Sequence, residues 1–302
     1  MRESQPSATA LLIAQAMAMQ ARDPELARLI PPEAAALWDR FLETANPGRA
    51  RLVRQVGGQA WARGLASLGE RLVIPGVRLH YAVRKRYLED AARRALQEGV
   101  SQVVVLGAGL DPLAVRLHRE LPQAFFLELD HPATQRVKRR ALAGVETGSN
   151  FHLAELDLAR STLTGTAPAQ PGWRRSADTL LIAEGLTMYL QPGEVDALFA
   201  FLREQTGPDS RFAFTFMEPQ RNGQVDFPGS TLFVRPWLRR VGEPFTWGVR
   251  RENLSGFLAK RGFDLDEVVG ADLLRQRYLA PAGLAGRRLA VGEFIALARR
   301  SG

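Results

Sequence analysis

The chain has 302 residues, 46% of them hydrophobic and 24% charged, enough to bury the core of one large α/β domain or of a domain with an appendage. It has no cysteine and four scattered histidines, which excludes disulfides and thiolate chemistry and argues against a metal site. A net charge of +8 raises the question of nucleic acid, but only three of the forty basic residues are lysines, and arginines run from Arg2 to Arg300 without forming one tract.

Residues 1–98 are predicted to be all helical, with helices over 8–21, 33–43, 49–69 (broken near Gly57 and Gly58) and 77–97. Pro31, Pro32 and the Asn46-Pro47-Gly48 turn punctuate them, and Gly99 suits the end of the last. The apolar stretch over 8–21 follows a charge-cancelling Arg2 and Glu3 and is interrupted by Gln15, so it reads as an amphipathic helix rather than a leader. No apolar run is long enough to span a bilayer, and a cytoplasmic protein is expected. The basic clusters at Arg49–Arg54, Arg84–Arg94 and Arg136–Arg140 have helical spacing and are expected on solvated faces.

From residue 102 the pattern changes to strand and helix in alternation, which predicts a doubly wound sheet of seven strands. Strands fit 102–106, 124–129, 151–154, 179–183, 211–217, 263–269 and 289–297; helices fit 112–120, 132–143, 193–205 and 251–261. The last two strands come late, as a final antiparallel hairpin would. Thr164–Gly172 reads as a loop. Residues 219–249, with four prolines, Trp237 and Trp247, interrupt the alternation and read as an insertion beside the ligand crevice. The expected division is a helical cap over 1–98 and a Rossmann-like domain over 99–302.

The run VVVLGAGLDPL at 103–113 is strand, tight turn and helix. Its branched apolar residues do not alternate, as befits a strand buried on both faces of a parallel sheet. Gly107 and Gly109 let the backbone take positive φ and approach a ligand, Asp111 is placed to cap the helix, and Pro112 suits its first position. About twenty residues on, AFFLELD ends with Glu128 and Asp130, where an adenosine-binding sheet places a carboxylate for ribose hydroxyls. A dinucleotide fingerprint needs a third glycine where this chain has Pro112. A cofactor with ribose and adenine but no pyrophosphate, S-adenosyl-L-methionine, therefore fits better than NAD. Ligands of such sheets lie beyond the strand tips at the topological switch point, here Gly107, Asp130 and Glu184.

The segments VVVLGAGLDPLAVRL, FLELDHPATQRVKRRAL and LLIAEGLTMYL, with TAL at 9–11, VRKRYLED at 83–90 and TWGVRRENL at 246–254, resemble the leucine carboxyl methyltransferase family, which includes bacterial O-methyltransferases of polyketide and other secondary metabolism. The resemblance covers most of the chain and implies a class I methyltransferase sheet with S-adenosyl-L-methionine as cofactor. It implies that Gly107, Ala108 and Gly109 line the methionine part, that Asp130 takes both ribose hydroxyls, and that Asp157 and Leu158 read adenine. It also implies that Arg84 meets the methionine carboxylate and Glu184 its ammonium. Lys138 fits the family too, though an i to i+4 surface pair explains it as well. Ala159, Gln15 and Leu29-Ile30-Pro31-Pro32 depart from the family pattern, the last two near the expected acceptor pocket.

The expected reaction is methyl transfer to a carboxylate or hydroxyl of a small organic acceptor. Tyr189 is the candidate side chain nearest the chemistry, and no firm catalytic base is assigned. Two rivals stay open: an NAD-dependent oxidoreductase and a basic RNA-binding or RNA-modifying protein. A protein C-terminus as acceptor has no sequence feature behind it.

Overall fold

The computed structural model describes residues 6–158, 160–228, 230–231 and 234–301. The described residues before β1 form five α-helices, α1 (Ala8–Gln20), α2 (Pro32–Ala45), α3 (Pro47–Val56), α4 (Ala60–Val73) and α5 (Val77–Gln97), with a short 3-10 turn at Ala27–Leu29. Their boundaries follow local chemistry. The Ser7 side chain caps α1 by accepting from the Ala10 N–H, Pro32 and Pro47 open α2 and α3 where no amide partner is needed, and Gly57 ends α3.

The sheet contains β1 (Gln102–Leu106), β2 (Phe125–Asp130), β3 (Phe151–Glu155), β4 (Thr179–Ala183), β5 (Arg211–Met217), β6 (Phe263–Val269) and β7 (Glu293–Arg300), in the order β3-β2-β1-β4-β5-β7-β6. The first five strands are parallel, and β7 runs antiparallel to both β5 and β6. This is the seven-stranded, doubly wound sheet expected from the sequence. Chain order reverses beside β1, between β2 and β4, so their carboxyl tips flank a crevice.

Between and after the strands lie α6 (Leu113–Glu120), α7 (Pro132–Ala141), α8 (Leu163–Thr166), α9 (Pro192–Gln205), α10 (Val234–Val241), α11 (Arg251–Ala259) and α12 (Ala271–Leu274). On one face, α1, α2 and α5 close a core around Phe41, Tyr87 and Phe126. On the other, Phe212, Phe214 and Phe216, alternate residues of β5, pack with Phe199 of α9 and Phe263 of β6. The Phe199 ring lies 5.2 Å from both the Phe212 and Phe263 rings.

Several local expectations need correction. Pro112 caps α6, which begins one residue later; Asp111 still supports that end by accepting from the Leu113 N–H at 2.7 Å. The Thr164–Gly172 stretch begins within α8, and β7 starts at Glu293 rather than 289. The insertion contains α10, with Pro236 in its first turn, where a proline breaks no helical hydrogen bond. Lys138 is not a surface lysine: it is fully buried, 2.5 Å from Glu128, with its ammonium also donating to the Asp111 carbonyl at 2.5 Å and lying 5.5 Å from the Phe41 ring centre. Arg84 is likewise buried, against the expectation of a solvated basic face. Among the described residues no helix is long and apolar enough to cross a membrane.

Candidate active site

A cavity of about 280 Å³ opens at the switch point, bordered on one side by the α1 cap Ser7 and by Thr9, Ala10 and Ile13 of α1. Beyond β1 the backbone turns at Gly107 (φ 66°) and Gly109 (φ 51°), in the left-handed region that side chains disfavour. A Cβ on Gly107 would lie 3.1 Å from Leu186, and one on Gly109 would lie 3.3 Å from the Ala10 Cβ. The Gly107 amide donates to the Leu129 carbonyl at 2.8 Å, and the Gly109 amide donates to Asp130 Oδ2 at 2.6 Å. The turn is thus tied to the tip of β2.

Asp130 is 8% exposed and lines the cavity. Burial pushes its carboxyl upward, opposed by the Gly109 hydrogen bond and the positive charge of Lys138. Glu128, which the sequence offered beside it, lies outside the cavity lining and is 1% exposed against Lys138. As residues i and i+2 of β2 the two acids share one face of the strand; Glu128 lies deeper, paired with Lys138, and Asp130 stands at the carboxyl tip, where the cavity opens. Asp157 and Leu158 follow β3 and also line the cavity, with His131 Nε2 4.0 Å from Asp157. The neighbouring Ala159 lies outside the described residues.

At the β4 tip, Glu184 meets a charged cluster from α5. Arg84 donates from Nε to Glu184 at 2.9 Å and from Nη1 to Glu293 at 2.8 Å, while Lys85 bridges Asp111 and Glu184. His80 Nε2 lies 2.9 Å from Glu293. Burial works against the charges of Arg84 and Glu293, yet their pairing wins: Arg84 is held above the usual arginine range, and its guanidinium with His80 holds the Glu293 carboxyl at about 2. All eight residues expected to hold the cofactor, namely Arg84, Gly107, Ala108, Gly109, Asp130, Asp157, Leu158 and Glu184, border this one cavity.

Tyr189 borders it too, with its ring 5.3 Å from Phe245. Burial, and then the Glu243 carboxylate, push its phenol well above the ordinary range, so near neutral pH it is a hydrogen-bond donor and not a base. Gln15 is absent from the lining and pairs with Arg49, while Leu29, Ile30 and Pro31 line a separate small cavity. Sequence reading missed Lys85, Asp111, Glu293, Thr9 and Glu243. A signal existed for one: an acid at 293 beside the apolar FIALA strand needed a buried partner, and His80 with Arg84, one helical turn apart, present two.

The profile of the leucine carboxyl methyltransferase family matches residues 10–203. A protein from Mycobacteroides abscessus described as an S-adenosyl-L-methionine-dependent methyltransferase is 29% identical over 224 residues, 74% of this chain and 69% of its own. Relatives with the same description from Mycolicibacterium gilvum and Mycobacterium marinum are 30% and 26% identical, over 66% and 92% of this chain and 67% and 89% of their own. Among solved structures, a methyltransferase from Thermobifida fusca superposes with a TM-score of 0.56 at 18% identity, covering 90% of this chain and 99% of its own, a likeness of fold. These relatives lend no support to the nicotinamide or RNA-binding alternatives. The chain belongs to the leucine carboxyl methyltransferase family and is an S-adenosyl-L-methionine-dependent methyltransferase.

Proposed function

We propose that the chain methylates an oxygen, of a carboxylate or a hydroxyl, on a small organic acceptor in the cytoplasm, with the cofactor lying across the tips of β3, β2, β1 and β4. The observation that carries this reading is Asp130: a buried carboxylate with one oxygen held by the Gly109 amide, bordering a cavity. A buried carboxylate short of donors is costly, and a ribose diol offers two. Pyrophosphate would add negative charge beside it; a nucleoside bearing an amino acid does not.

Around that anchor, the turn at Gly107, Ala108 and Gly109 passes close to the ligand, and Asp157 with the Leu158 backbone takes adenine. Arg84 and Glu184 form an ion pair matched in sense to an amino-acid zwitterion, so Arg84 serves the carboxylate and Glu184 the ammonium. When bound, S-adenosyl-L-methionine supplies an electrophilic methyl group on a sulfonium. The chain's own task is then positional: α1 and the turn after β4 hold the acceptor and exclude water. The five N-terminal helices act as the cap, and nothing in this chemistry calls for a metal or a membrane partner.

The test is incubation with methyl-labelled cofactor and a panel of carboxylates and phenols, read by mass spectrometry. Label is expected on an acceptor oxygen. Transfer only to nitrogen or carbon acceptors would overturn the oxygen assignment.

A further inference from the structure

The cavity of this basic chain is lined by acids: Asp111, Asp130, Asp157, Glu184, Glu194 and Glu243. Its strong cations, Arg84 and Lys85, are already committed to Glu184, Glu293 and Asp111. Most of the acids are committed too. Asp111 is held by Lys85 and the Leu113 amide, Asp130 by Gly109, and Glu194 by the Gln191 amide at 2.6 Å. Glu243 differs. It is 7% exposed, its side chain meets the Thr9 hydroxyl, and among the described residues no cation stands within 4 Å of it.

Its place follows from the topology. Asp157, Asp130, Gly107 and Glu184 succeed one another along β3, β2, β1 and β4, from the adenine end to the amino-acid end of the proposed cofactor. Glu243 continues beyond β4: its segment is pinned to the turn after that strand by the Thr246 amide donating to the Met188 carbonyl at 2.7 Å. Tyr189 borders the cavity here, backed by the Phe245 ring 5.3 Å away, so this end offers one aromatic wall and one buried acid.

We propose that Glu243 is the specificity-determining residue for the acceptor and selects an aromatic-sized hydroxyl compound that is neutral or carries an ammonium, excluding carboxylates. The proposal rests on the cofactor placement above. A carboxylate acceptor would enter with Arg84 and Lys85 already paired and no other free cation among the described lining residues, and with Glu243 repelling it in a medium of low dielectric. A hydroxyl or ammonium hydrogen instead donates to Glu243, which already has the Thr9 hydroxyl holding its other oxygen.

The experiment measures binding rather than turnover. The protein saturated with S-adenosyl-L-homocysteine is titrated calorimetrically with 4-hydroxybenzylamine, 4-hydroxybenzyl alcohol and 4-hydroxybenzoate. The amine is expected to bind at least about tenfold more tightly than the carboxylate, with the alcohol between them. Glu243→Gln, which keeps an acceptor for Thr9, should level the series while leaving homocysteine-cofactor affinity unchanged. Tightest binding of the carboxylate, equal affinities, no measurable binding of the amine, or a series unaltered in Glu243→Gln would each overturn the proposal. The order in the parent protein stands independently of how the variant folds. Failure of S-adenosyl-L-homocysteine to bind at all would instead overturn the cofactor placement.

Discussion

Replacing Asp130 with alanine separates a binding role from a structural one. In the parent, Asp130 Oδ2 accepts the Gly109 N–H, and the carboxylate is buried with its pKa raised. Two hydrogen bonds from ribose hydroxyls to a charged acceptor are worth about 1.5 kcal/mol or more each, so Asp130→Ala should weaken cofactor binding by roughly a hundredfold. The folded protein should lose little: one hydrogen bond of about 1 kcal/mol goes, offset by relief from burying the carboxylate. Isothermal titration with S-adenosyl-L-homocysteine and a thermal melt of the same samples measure both. Affinity within threefold of the parent, together with a drop in melting temperature above about 8 °C, would refute the reasoning and make Asp130 a structural residue.

Three further outcomes are expected. Glu293→Gln leaves Arg84 short of one counter-charge and should cost about 3–5 kcal/mol at pH 7. Because the folded pKa of Glu293 is depressed to about 2, its contribution is fully present above the unfolded value near 4.5 and lost as pH falls. The stability gap between parent and variant, from urea unfolding at pH 7 to 3.5, should hold steady and then narrow by about 1.4 kcal/mol per pH unit below 4.5; a gap independent of pH would contradict the ion-pair account. Lys138→Met strands Glu128, whose pKa burial already raises, so the variant should be destabilised by about 3–5 kcal/mol at pH 8 and regain stability as the pH falls and the acid binds a proton in the folded state; denaturant melts at pH 8 and 6 check it. Gly107→Ala imposes a Cβ at φ 66° beside Leu186 and should cost about 1–2 kcal/mol of stability along with cofactor affinity, both readable in the titration and melt used for Asp130→Ala.

Much of this site could be read from one dimension because parallel strands with helical crossovers put all their carboxyl tips on one edge. Once β1, β2, β3 and β4 are assigned, Gly107, Asp130, Asp157 and Glu184 must converge, wherever the loops run. The residues that escaped are joined by pairing across long separations. Arg84 meets Glu293 209 positions away, and Thr9 meets Glu243 234 positions away, contacts with no periodic signature. Lys138 misled because amphipathic spacing on α7 does not tell a solvated lysine from one folded inward over Glu128. The α10 helix was hidden by prolines that break helices in their interior but are tolerated in a first turn, and by its place outside the sheet alternation.

The central claim is that one ligand lies across four strand tips with its ribose on Asp130. A crystal structure with S-adenosyl-L-homocysteine tests it most directly. Both ribose hydroxyls should fall within hydrogen-bond distance of the Asp130 carboxylate, with the amino-acid end at Arg84 and Glu184. A ligand seated elsewhere, or one whose ribose leaves Asp130 untouched, would contradict it.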